Sequence, residues 1–133
     1  MTRSRRFSAL ATFLLVASLP AFSAPPAATL KQAYADAFLL GTAVNDAIVS
    51  GRDGRAQALA TRHFNAITAE NVMKAEVLHP QPGQWDFAAA DAFVDFGQRN
   101  GMYLIGHTLV WHTQTPDWFF EHADGSQADT ATM

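Results

Sequence analysis

Two short clusters gather the side chains best suited to handle a ligand. Glu70-Asn71-Val72-Met73-Lys74 sets a carboxylate, a carboxamide and an ammonium within five residues. Together they offer acceptors and donors suited to a neutral ligand dense in hydroxyl groups. The same spacing fits a purely structural ion pair, because residues four apart meet on one helix face. The second cluster is His107-Thr108-Leu109-Val110-Trp111-His112-Thr113-Gln114. In an extended segment residues 107, 109 and 111 share a face, which would set His107 and Trp111 on one wall. An indole gives the C–H face of a pyranose a flat apolar surface, and His107 and Gln114 can hydrogen-bond its hydroxyls. By residue type alone, core packing for Trp111 and a satisfied buried histidine at position 107 are at least as good readings.

Other chemistries find less support. A metal site would need His107 and His112 with a carboxylate such as Glu70, but that spacing matches no common zinc pattern, and alternation sends the two imidazoles to opposite faces. His63, His79 and His122 have no partner pattern and read as surface or packing residues, as Trp85 and Trp118 read mainly as packing. The chain has no cysteine, which removes disulfides, thiolate metal sites and cysteine catalysis. Beyond the N-terminal region the serines are Ser50 and Ser126, neither in a Gly-x-Ser-x-Gly turn that would expose a nucleophile.

The elements that must position these clusters follow from the apolar pattern. Thr29 caps a short helix with Leu30, Ala33, Tyr34, Ala37 and Phe38 at helical spacing. Phe38 to Val44 is an apolar run of strand length, followed by a polar loop from Asn45 to Gly54. Asp53 caps a helix running through His63, with Ala56, Leu59, Ala60 and Phe64 as its stripe. Asn65 to Ala69 is a second strand; a helical turn is expected near Val72 to Val77, and His79 to Gln84 is irregular. Asp86 caps a helix over Ala88 to Asn100, with Ala89, Ala92, Phe93 and Phe96 on one face, and Gly101 ends it in the left-handed conformation. Met102 to Thr108 is the third strand. Strand and helix alternate as in a parallel α/β sheet, and both polar clusters follow strands. Ligand sites in such folds form at the carboxyl ends of the strands.

The N-terminus has a different character. Met1 to Arg6 is basic, Phe7 to Phe22 is largely apolar, and Ala21-Phe22-Ser23 supplies small residues at an export-peptidase site. That order predicts a secretory signal over residues 1–23, with cleavage after Ser23, or after Ala24 as the alternative, then a linker over 24–28. The apolar run is about 16 residues, short of the ~20 a spanning helix needs. Three of the nine basic residues (Arg3, Arg5, Arg6) lie in this leader, leaving six against 12 acidic residues. A domain that acidic is a poor fit to nucleic acid or anionic lipid.

Phe64-Asn65-Ala66-Ile67-Thr68-Ala69-Glu70-Asn71-Val72-Met73-Lys74, with Gly106-His107-Thr108-Leu109-Val110-Trp111-His112-Thr113-Gln114-Thr115-Pro116-Asp117-Trp118, resembles the N-terminal part of glycoside hydrolase family 10. These are endo-1,4-β-xylanases on a (β/α)₈ barrel. Phe38 to Asn45 resembles the family's first strand, and Gly83 to Asp91 its segment before the second helix. Ala75 stands where family members often carry a bulkier residue.

The resemblance implies a fold of about three βα units from such a barrel over residues 29–133. It implies substrate contacts on the glycone side from Glu70, Asn71 and Lys74, and around the sugar next to the scissile bond from His107, Trp111 and Gln114. It further implies retaining hydrolysis of internal β-1,4 bonds in xylan, with no cofactor and no metal. The expected partner is xylan or a xylo-oligosaccharide, without nucleic acid, or membrane once the signal is removed. The complete enzyme is expected to be monomeric, and secreted or periplasmic.

Retaining glycosidases use two carboxylates about 5–5.5 Å apart. In this family the acid/base glutamate ends a Trp-Asp-x-x-Asn-Glu segment on the fourth strand, and the nucleophile ends the seventh. The glutamates here are Glu70, Glu76 and Glu121, none with those neighbours, so no catalytic residue is assigned. A barrel needs about 250 residues. The chain therefore reads as the front third of an enzyme, inactive alone. The alternative is a non-catalytic carbohydrate-binding protein if the product truly stops at Met133.

Overall fold

The computed structural model describes residues 28–130; the expected signal (1–23), most of the expected linker and residues 131–133 lie outside them. Three parallel strands, β1 (Gly41–Val44), β2 (Ala66–Ala69) and β3 (Tyr103–Ile105), lie side by side in that order. Gly41 stands opposite Ala66 and Ala66 opposite Tyr103. Parallel neighbours need a crossover that returns the chain to its starting end. After β1 it runs through α2 (Asp46–Val49) and α3 (Gly54–His63), and after β2 through α4 (Ala75–Leu78) and α5 (Ala88–Arg99). A helix α1 (Leu30–Ala33) precedes the sheet, and one 3₁₀ turn (Asp117–Phe119) follows it.

Local chemistry sets the helix ends. Thr29 and Gln32 cap α1 reciprocally, and Lys31 Nζ ties it to the Thr61 carbonyl at 2.7 Å. The Asp53 carboxylate accepts from the Ala56 amide at 3.0 Å, and Asp86 accepts from Ala88 at 3.0 Å. Both meet amides that the first helical turn leaves unpaired. Gly101 follows α5 with φ 61°, the conformation that a residue without a Cβ adopts freely.

Three expectations need correction. α1 ends at Ala33 rather than running to Phe38, and pairing of β1 begins only at Gly41, with Phe38 and Leu39 exposed ahead of it. The supposed loop after β1 contains α2, whose first turn is capped by Asn45 Oδ1 accepting from the Ile48 amide at 3.1 Å. On α5 the buried face is Ala90, Phe93, Phe96 and Gly97, while Ala92 points to water. The two phenylalanines and the glycine, not the alanines, decide which side meets the sheet.

The core lies between α5 and the sheet. Ile67 and Phe93 have no exposed surface, and Val44 and Ala69 have 1% each. Sealing a valine, isoleucine or phenylalanine side chain contributes about 1.5–3 kcal/mol. Gly97 allows the close approach of helix to sheet, since a methyl there would overlap Leu104 Cδ2 and stand 3.2 Å from Ile67 Cδ1. One residue out of phase, on the other face of β3, Tyr103 and Ile105 are exposed.

Candidate functional site

All three strands release the chain at one rim of the sheet, into Asn45, Glu70 and Gly106. The Glu70 amide donates to the Val44 carbonyl at 3.0 Å, continuing the ladder to the edge of that rim. Asn71, Lys74 and Gln114 then form a closed triangle. Lys74 Nζ donates to Asn71 Oδ1 at 3.1 Å and to Gln114 Oε1, while Gln114 Nε2 donates to Asn71 Oδ1 at 3.2 Å. Gln114 has φ 56° and presents its carbonyl to the Glu76 amide at 3.0 Å. Both ends of its carboxamide and its main chain are thus committed to the segment after β2.

The alternative reading of Glu70 and Lys74 as an ion pair is not realised. Residues 70–74 are turn and bend rather than helix, so the four-residue spacing does not bring the side chains together. Lys74 takes neutral acceptors instead. Glu70 is exposed, and its carboxylate has no hydrogen-bond partner among the described residues. It remains available as an acceptor beside a donor-rich cluster.

His107 and Trp111 do stand together, with ring centroids 5.1 Å apart and an edge-on angle of 65°. Strand alternation is not the cause. β3 ends at Ile105, the segment beyond it is irregular, and Leu109 is 92% exposed. The loop instead folds back on itself, and Thr115 Oγ1 donates to the Trp111 carbonyl at 2.7 Å. Trp111 is 39% exposed and also lies 4.6 Å from His112. It is therefore a partly open aromatic surface, not a core residue. His107 is half-buried, with Nδ1 unpaired among the described residues, and it borders an apolar cavity of about 300 Å³ with Met73, Leu78, Phe87 and Val94.

The structure thus joins Asn71, Lys74 and Gln114 by direct bonds, pairs His107 with Trp111 and leaves Glu70 free on the same rim. Among the described residues no group of three or more His, Asp or Glu side chains could hold a metal ion. Asp124, outside this cluster, has its carboxyl held below the usual range by the Ser126 hydroxyl and amide. His79, which has no partner pattern in the amino-acid order, is the centre of an aromatic group with Trp85, Trp118 and Phe119.

A parallel βα sheet with its polar side chains at the strand exits is the opening part of a (β/α)₈ barrel, three units of it. The Glycosyl hydrolase family 10 model matches residues 29–133, and the chain belongs to that family. It is 47% identical over 92 residues to a β-1,4-xylanase of Dictyoglomus thermophilum, covering 69% of this chain and 25% of that protein. It is 43% identical over 105 residues to endo-1,4-β-xylanase B of Paenibacillus barcinonensis, covering 79% and 30%.

A GH10 endoxylanase from a sugarcane soil metagenome superimposes with TM-score 0.72 at 42% identity, over 79% of this chain and 32% of that one. A mutant structure in complex with xylotriose gives 0.70 at 39%, over 78% and 30%. The chain spans between a quarter and a third of the length of these curated relatives.

Proposed function

We propose that the chain supplies the glycone-side sugar-binding part of an exported endo-1,4-β-xylanase, which as a complete enzyme cleaves internal β-1,4 bonds of xylan with retention. The observation that carries this reading is the triangle of Asn71, Lys74 and Gln114, drawn from two loops and set on one rim with Trp111. Its polar groups are neutral acceptors and donors around one ammonium, which suits hydroxyl groups. Glu70 adds a free carboxylate acceptor, His107 and Gln114 hydrogen-bond the sugar next to the scissile bond, and Trp111 packs on its C–H face.

Hydrolysis needs an acid/base and a nucleophilic carboxylate about 5–5.5 Å apart. Glu76 lies on α4, Glu121 follows the 3₁₀ turn, and Glu70 serves in binding. Both catalytic carboxylates therefore come from strands beyond the three described, and no cofactor is required.

Residues 24–133 are expected to bind xylotriose weakly and to release no reducing sugar from xylan. Trp111→Ala is expected to abolish that binding while leaving the circular dichroism spectrum unchanged. A folded chain that ignores xylotriose would sink the site, and hydrolysis of xylan by purified 24–133 would overturn the division of labour. Export is tested separately, by N-terminal sequencing of the secreted protein, where an intact Met1 would refute it.

A further inference from the structure

Outside the six residues assigned to sugar, a second set of contacts fixes where the loop after β3 stands. Residues 106–116 have no regular secondary structure, yet carry His107, Trp111 and Gln114. The far end of this loop docks on both termini of α4. At the start of α4 the Glu76 amide donates to the Gln114 carbonyl at 3.0 Å; at its end Trp118 Nε1 donates to the His79 carbonyl at 3.3 Å. A four-residue helix leaves such terminal groups without helical partners, and it is far too short to persist alone. Helix and loop therefore complete one another.

His79 holds the second of these joints. Its Nδ1 lies 2.7 Å from the Gln84 carbonyl, which can only accept, so Nδ1 carries the proton. Its ring stacks on Trp85 at 3.6 Å with planes 6° apart, and meets Trp118 edge-on at 4.6 Å. The Asp86 amide closes this segment onto the Leu78 carbonyl at 3.0 Å.

We propose that His79 is a positioning residue for the sugar site. By locking the carboxyl end of α4 to Trp118, it keeps Gln114 over the amino end of α4 and within reach of Lys74 and Asn71. Among the described residues its hydrogen bonds and ring contacts go to Ala75, Gln84, Trp85, Trp118 and Phe119, not to the six assigned residues. Its consequence for xylo-oligosaccharide rests on the function proposed above, whereas its effect on Gln114 does not.

The test compares His79→Ala, His79→Phe and Trp118→Phe in the full chain, by amide hydrogen exchange and by xylotriose titration. The Glu76 amide reports the joint, and the Glu70 amide, bonded to Val44, is the internal reference. His79→Ala should speed exchange at Glu76 about tenfold while Glu70 changes less than about twofold. It should weaken xylotriose binding by about tenfold, as expected when a binding group is misplaced. His79→Phe, which keeps the stack, should recover most of both. Trp118→Phe, which removes the Nε1–H donor and part of the ring area against His79, should give the same pattern at smaller size.

Unchanged Glu76 exchange in His79→Ala overturns the proposal. So does a parallel rise at Glu76 and Glu70, which would mark a merely structural residue. The expected exchange pattern in a chain that ignores xylotriose supports the joint and removes only the sugar reading.

Discussion

Where α5 lies on the sheet, Ile67 and Phe93 are sealed from water; a few residues along the same strands, at the rim, Glu70, Asn71 and Trp111 stand open to it. The first region is held by apolar contacts that tolerate little change in volume. The second is held by a few hydrogen bonds between irregular loops. Stability and the proposed sugar binding are therefore lodged in different groups and should respond to different substitutions.

The largest effect is expected from the sealed region. Phe93→Ala leaves a cavity in the core between α5 and the sheet and should cost about 3–5 kcal/mol in urea unfolding. A loss near zero would mean that α5 does not share this core. Gly97→Ala acts on the same surface in the opposite sense. The added methyl would meet Leu104 and Ile67, an overpacking cost of about 1–3 kcal/mol, partly offset by alanine's better helix propensity, up to about 1 kcal/mol. A net loss of up to about 2 kcal/mol is expected, and a stabilised variant would show that Leu104 yields.

At the rim the balance reverses. Gln114→Ala removes the links to Lys74 and Asn71, and should shift stability by less than about 1 kcal/mol while weakening xylotriose binding about tenfold. Equal losses in both would erase the distinction between the regions. The smallest effect belongs to Arg52→Ala, which breaks the solvent-exposed pair with Asp46. Unfolding should move by no more than about 0.5 kcal/mol, and not at all in high salt.

Much of the sealed region was legible in the amino-acid order. Thr29, Asp53 and Gly101 act on their own neighbours, so their capping roles are visible without a fold. The strand runs and the Phe93/Phe96 spacing define three βα units. α2 is a single turn, too short to display a period, and the Ala88-Ala89-Ala90 run offers no local way to choose a face, which the approach of Gly97 to Leu104 decides.

The rim was legible only in part. That Glu70, Asn71 and Lys74 share a strand exit follows from position, but the bond from Lys74 to Gln114 spans 40 residues and leaves no local trace. The four-residue spacing pointed instead to Glu70, a geometry that only a helix would produce. Trp111 reached His107 by a folded-back loop, so strand alternation predicted the neighbour for the wrong reason.

The register of the sheet also fixes an order of events during synthesis. Gly41 meets Ala66, and Ala66 meets Tyr103, so β1 and β2 must each wait for a strand made later by the ribosome. A bare strand pair is marginal, but the cover for Ile67 is Phe93, which emerges before β3. Nascent chains should therefore become protease-resistant when α5 leaves the exit tunnel, one step before the third strand exists. Stalled chains of graded length would show this directly; resistance that begins only after Ile105 would mean that the third strand, not the helix, closes the first two.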